Sequence, residues 1–103
     1  MLTVAETKIF SKQAPRYWSN DEHTAFVSFI ANNPESGDVI PHSGSVRKVR
    51  WSKGGQGKRG GVRVVYFNMF ENGKIWLLLI YGKNVKENIP AHILKQVKEE
   101  IEL

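Results

Sequence analysis

The stretch GVRVVYFNMFENGKIWLLLIYG, residues 61–82, decides the fold. Gly61 to Phe70 is rich in β-branched and aromatic residues, which suit a pleated surface. Asn72-Gly73 is a strong short-range turn signal. Lys74 to Tyr81 is almost wholly apolar, as a strand buried on both faces would be. Together they predict an antiparallel hairpin. Just upstream, Val46, Lys48 and Arg50 alternate with Arg47, Val49 and Trp51, which predicts a strand with one charged side. Ser52 to Gly61 holds five glycines and cannot be regular structure. Residues 46–81 therefore read as three consecutive antiparallel strands.

The flanks read as helices. Gly82-Lys83-Asn84 breaks the strand pattern. Asn88-Ile89-Pro90 resembles a helix start, followed by an apolar face of Ile93, Leu94, Val97 and Ile101. Towards the N-terminus, Leu2 to Phe10 alternates weakly and predicts a short strand. Ser11 to Trp18 suits a helical turn or two, with Pro15 a poor interior residue. Ser19-Asn20-Asp21-Glu22 has the capping-box form. Ala25, Phe26, Phe29 and Ile30 then share a helical face, which Asn33-Pro34 closes. Glu35 to Ser45 reads as loop. The order is β-α-α-β-β-β-α, an α+β fold with a small antiparallel sheet flanked by helices. With 103 residues, 1–103 is expected to be a single domain.

Charge is unevenly placed. Between Asp38 and Glu71 there is no acidic residue, yet Arg47, Lys48, Arg50, Lys53, Lys58, Arg59 and Arg63 give +7 on 32 residues. The whole chain is +5, so the other 71 residues sum to −2. A single-sign block with interspersed glycine points to a polyanion held close to the backbone. There is no cysteine, so disulfide and thiolate chemistry are excluded. The N-terminus lacks the apolar run of a signal peptide. The longest apolar run, Ile75 to Tyr81, is far short of the roughly 20 residues that span a bilayer. A cytoplasmic protein without membrane association is expected.

Gly55-Gln56-Gly57-Lys58-Arg59-Gly60 is a literal G-x-G-x-x-G, but the expected strand after it, where a dinucleotide fingerprint opens a helix, rules that use out. Its glycines instead leave backbone N–H groups able to face an anion, while Lys53, Lys58 and Arg59 add charge. The bland alternative is a solvated hairpin loop. Arg63 is the most telling residue: it sits among Val62, Val64, Val65 and Tyr66, where a charge is costly unless paired or used. Pairing with Glu99 or Glu100 is the structural alternative. His23, His42 and His92 match no zinc spacing and read as surface residues. No metal site and no cofactor are expected. Trp76 reads as core. Trp51, beside the basic loop, is the one tryptophan placed to stack on a base, with core packing the competing role.

The segments Gly37-Asp38-Val39-Ile40, Arg47-Lys48-Val49-Arg50, Gly57-Lys58-Arg59-Gly60-Gly61, Arg63-Val64-Val65-Tyr66 and Leu78-Leu79-Ile80-Tyr81-Gly82-Lys83-Asn84 resemble, in order and spacing, the RelE superfamily. The likeness runs over roughly residues 3–100 and is strongest to HigB-type toxins of bacterial toxin–antitoxin modules. It implies a microbial-RNase-like fold and a ribosome-dependent mRNA endonuclease, neutralised by a cognate antitoxin. Cleavage by such toxins proceeds by attack of a ribose 2′-OH on the adjacent phosphate without a metal. By the same resemblance Arg63 matches the arginine that stabilises the phosphorane, and Lys48 and Arg50 match alternating basic positions on the preceding strand. Lys83 follows Gly82 as the family's lysine does, and Lys58 and Arg59 belong to the enriched loop of the HigB-like branch. Arg47, Lys53 and Trp51 complete the expected RNA-binding set. This chain has Asn84 where RelE has a further arginine, and no tyrosine between Asn88 and Ala91 where RelE has its catalytic one.

The expected partners are the antitoxin, ribosome-bound mRNA and ribosomal RNA, with DNA reached only through the antitoxin complex. Two rival readings are a gyrase-inhibiting toxin of the ParE group, which shares the fold, and a non-catalytic RNA- or DNA-binding module.

Overall fold

The turn at Asn72-Gly73 is made as the sequence predicts, with Gly73 at φ 67°, where a side chain would be strained. In the computed structural model, which describes residues 2–52, 61–69, 72–82 and 91–102, it joins the two longest strands of the protein. These are β4 (Val62–Met69) and β5 (Lys74–Gly82). Before them come β1 (Thr3–Glu6), α1 (Lys8–Gln13), a 3-10 turn over Ala14–Arg16, α2 (Asn20–Asn32), β2 (Asp38–Val39) and β3 (Arg47–Trp51). After them comes α3 (Ala91–Glu102). The result is an α+β domain whose five strands lie in the order β1-β5-β4-β3-β2.

The meander β3-β4-β5 is antiparallel throughout, as expected. The sheet as a whole is mixed, because β1 joins the outer edge of β5 in parallel. That pairing joins residues some 70 positions apart, which no local signal encodes. β2 is a further two-residue strand inside the segment expected to be loop, held by Asp38↔Lys48 and Val39↔Arg47. The first strand also ends earlier than expected. Thr7 caps α1: its Oγ1 accepts from Phe10 N at 3.0 Å and donates to the Leu78 carbonyl at 2.9 Å. Lys8 to Phe10 are consequently helical. Pro15 is accommodated at the start of the 3-10 turn, where a missing N–H costs little.

The capping box at Ser19 forms in full. Glu22 N donates to Ser19 Oγ at 3.2 Å, and Ser19 N donates to Glu22 Oε1 at 3.0 Å. The helices cover both faces of the sheet. Phe10, Ala14, Trp18, Phe26 and Ile30 pack on Val49, Val62, Val64 and Tyr66. Leu94 of α3, with Val97 and Ile101 beside it, packs on Val46, Val65, Phe67 and Leu78. The Ile93 side chain and the expected cap at Asn88 lie outside the described residues. Trp76 is half-buried against the α3-side core rather than enclosed in it.

The pairing of β4 with β5 has one irregularity. Tyr66 pairs with Leu77 but Val65 pairs with Leu79, so Leu78 is a bulge in β5. The bulge switches which residues of β5 face each core. Ile75, Leu77 and Ile80 serve the α1–α2 side, while Leu78 and Tyr81 serve the α3 side. An almost continuous apolar strand is thereby used on both faces.

Candidate nucleic-acid interface

Side chains alternate across a strand, so β3 divides its charges. Val49 and Trp51 belong to the α1–α2 side, and Arg47 shares their parity. Lys48 and Arg50 point to the face that carries α3. On β4, Val62 and Val64 face α1–α2, and Arg63 faces with Lys48 and Arg50. The register then aligns Arg50↔Arg63 across β3 and β4, and Arg63↔Tyr81 across β4 and β5. The next row is Asp38↔Lys48↔Val65↔Leu79. Three cations thus gather on one face, Arg50 exposed and Lys48 and Arg63 half-buried. Asp38 bounds them at the sheet edge.

Two arginines directly opposite each other repel, an arrangement that costs stability in a plain sheet. A phosphate between them reverses the sign of that interaction, and each guanidinium can fork onto phosphate oxygens. The row sits at one end of the sheet, since Trp51, Val62 and Gly82 are paired there in sequence across β3, β4 and β5. The chain leaves β3, re-enters β4 and leaves β5 at that same end. The residues expected in those connecting segments, Lys53, Lys58, Arg59 and Lys83, lie outside the described residues, as does Asn84.

Two expected members of the RNA-binding set are placed elsewhere. Arg47 stands on the α1–α2 side, where its Nη1 donates to the Gly37 carbonyl at 2.6 Å and the Glu35 carbonyl at 3.3 Å. It fastens the connection from α2 to β2, so its charge is absent from the row. Trp51 packs edge-on to Phe26, with ring centroids 5.4 Å apart, and tilted against Phe29 at 4.8 Å. Core packing is its role here, and its buried indole Nε1 has no hydrogen-bond partner among the described residues.

Tyr81 is the neighbour that sequence reasoning missed. Counting back from Met69↔Lys74 without a bulge would set Arg63 opposite Ile80. The extra residue at Leu78 substitutes Tyr81, 8% exposed, for an aliphatic neighbour. No periodicity reveals a bulge inside a uniformly apolar strand.

None of the three histidines lies on β3, β4 or β5. His23 is not the plain surface residue expected: its Nε2 lies 2.5 Å from Glu6 Oε2, and its ring packs near Phe10 and Trp18. His42 sits in the β2–β3 connection at φ 62°, and His92 is exposed on α3. Among the described residues no group of three or more His, Asp or Glu is placed to hold a metal ion, and no helix is long and apolar enough to cross a membrane. No protein-family model matches the chain.

Proposed function

We propose that this chain is a RelE-superfamily toxin, most like the HigB type, that cleaves mRNA on the ribosome and is neutralised by a cognate antitoxin. The observation that carries the reading is the register row Arg50↔Arg63 with Lys48 beside it, at the end of the sheet from which the glycine-rich basic segment departs. RNA supplies its own nucleophile, the ribose 2′-OH. Its oxygen attacks the adjacent phosphorus and the P–O5′ bond breaks, giving a 2′,3′-cyclic phosphate and a 5′-hydroxyl. One proton leaves the 2′-OH and one joins the departing O5′. Arg63 stabilises the doubly charged phosphorane, and Arg50 and Lys48 hold the flanking phosphates. By the resemblance, Lys58, Arg59 and Lys83 add to that charge. Ribosomes are the working surface, which places the protein in the cytoplasm.

Expression of the chain with and without its genomic neighbour, together with mapping of mRNA 5′ ends, tests the reading. New 5′-hydroxyl ends inside translated codons, suppressed by the neighbour, are the expected result. Gyrase inhibition with intact messages would favour the ParE-type reading. RNA binding without new ends would favour a non-catalytic module.

A further inference from the structure

A second basic surface lies on the other layer of the molecule. Lys8, Lys12 and Arg16 succeed one another at four-residue steps along α1 and the 3-10 turn, and all three are exposed. Phe10 on α1 and Ala14 in the 3-10 turn are fully buried against the sheet. At 3.6 residues per turn Lys8 and Lys12 each stand about 160° from Phe10, and these two charges rise about 6 Å. No acidic residue occurs from Thr7 to Asn20. The preceding carboxylate, Glu6, has both oxygens engaged, Oε1 by Ser11 Oγ at 2.8 Å and Oε2 by His23. Among the described residues, none makes a side-chain hydrogen bond or ion pair with Lys8, Lys12 or Arg16. The stripe leads towards the same end of the sheet as the arginine row, since the Tyr17 ring next to Arg16 lies against Gly82, 3.1 Å from where a Cβ there would stand.

We infer that Lys8, Lys12 and Arg16 form a second polyphosphate-binding surface, for the backbone of structured RNA. Resting on the function proposed above, it holds the protein against an RNA wall while the sheet row takes the strand to be cut. Evenly stepped cations without a carboxylate among them match a line of phosphates. An acidic protein helix would also want an apolar seam, whereas the exposed apolar side chains beside the stripe, Ile9 at 51% and Tyr17 at 37%, sit singly at its two ends.

The test uses the whole protein and a short RNA duplex of fixed sequence, with affinity measured over a range of salt. The triple variant Lys8→Gln, Lys12→Gln, Arg16→Gln keeps good helix formers at exposed positions, so its thermal melt should match the parent. Its log K against log[salt] slope should flatten by about 2 to 3, at roughly 0.7 to 0.9 per lost phosphate contact. The variant Lys48→Gln, Arg50→Gln should lose message cleavage while keeping most of the duplex affinity. A triple variant with the parent's slope overturns the inference. An unchanged slope joined to weaker neutralisation by the antitoxin would assign the stripe to an acidic protein, and overturns it equally. Failure of the parent to cleave ribosome-bound mRNA would remove the functional reading alone, because the duplex titration decides the stripe by itself.

Discussion

Arg63 is where sequence and structure bear hardest on each other. A charge inside a run of valines is legible as an anomaly, and its place near the loop end of the central strand comes from the hairpin. Its neighbours Arg50 and Tyr81 are not legible, because they depend on register and on a bulge. Arg63→Ala should reduce cleavage by about 10²–10³, the loss expected when a charge-assisted contact made mainly in the transition state is removed. The fold should survive. Val62, Val64 and Tyr66 pack on the α1–α2 side, away from the guanidinium. Melting temperature and growth arrest are measured on the same variant. A folded Arg63→Ala protein that still arrests growth would remove Arg63 from the chemistry. One that fails to fold would make Arg63 a structural residue.

At the scale of elements, the connection from α2 to β2 is built as a polar clamp. The fully buried Tyr66 donates its hydroxyl to the Pro34 carbonyl at 2.9 Å and accepts from Gly37 N at 2.9 Å. Asn68 Nδ2 donates to the same carbonyl at 2.8 Å, and Arg47 holds the Gly37 carbonyl. Gly37 admits the approach, since a Cβ there would stand 2.7 Å from the Lys48 carbonyl oxygen. Tyr66→Phe should cost about 1–3 kcal/mol, because it strands the buried Gly37 N–H while Asn68 still serves Pro34. Urea unfolding reads the loss, and cleavage per folded molecule should stay at the parent's level. A melt unchanged by this substitution would show that the clamp does not stabilise the fold. None of these bonds is legible in the sequence: Arg47 reads there as one more cation of a basic block, and its partners lie 10 and 12 residues away. The legible features have local causes. The Ser19 box, the Asn72-Gly73 turn and the period of α2 each lie within a few residues. The parallel β1–β5 pairing and the Thr7 cap onto the Leu78 carbonyl join distant segments, and the Leu78 bulge is hidden in a uniformly apolar strand.

At the scale of the whole molecule, the described chemistry is lopsided. The row Lys48, Arg50 and Arg63 can bind and polarise phosphates, while the histidines belong to other elements. His23 is engaged with Glu6 on the α1–α2 side, His42 lies in the β2–β3 connection and His92 on α3. A sheet face presents a row of side chains along which a flexible strand can lie in many registers. On the function proposed above, alignment of the 2′-OH with the P–O5′ bond then comes from the surface that holds the message, and such alignment is among the largest contributions to phosphoryl chemistry. The α1 stripe suits that division of labour, since it can hold an RNA wall while the sheet row faces the strand. The expected consequence is that ribosome-bound message is cut at least about 10²-fold faster than the same message free in solution. Initial rates on one transcript, at equal protein concentration with and without programmed ribosomes, measure the ratio. A ratio near one would mean that the protein aligns the reacting atoms unaided, and the ribosome would lose its place in the mechanism.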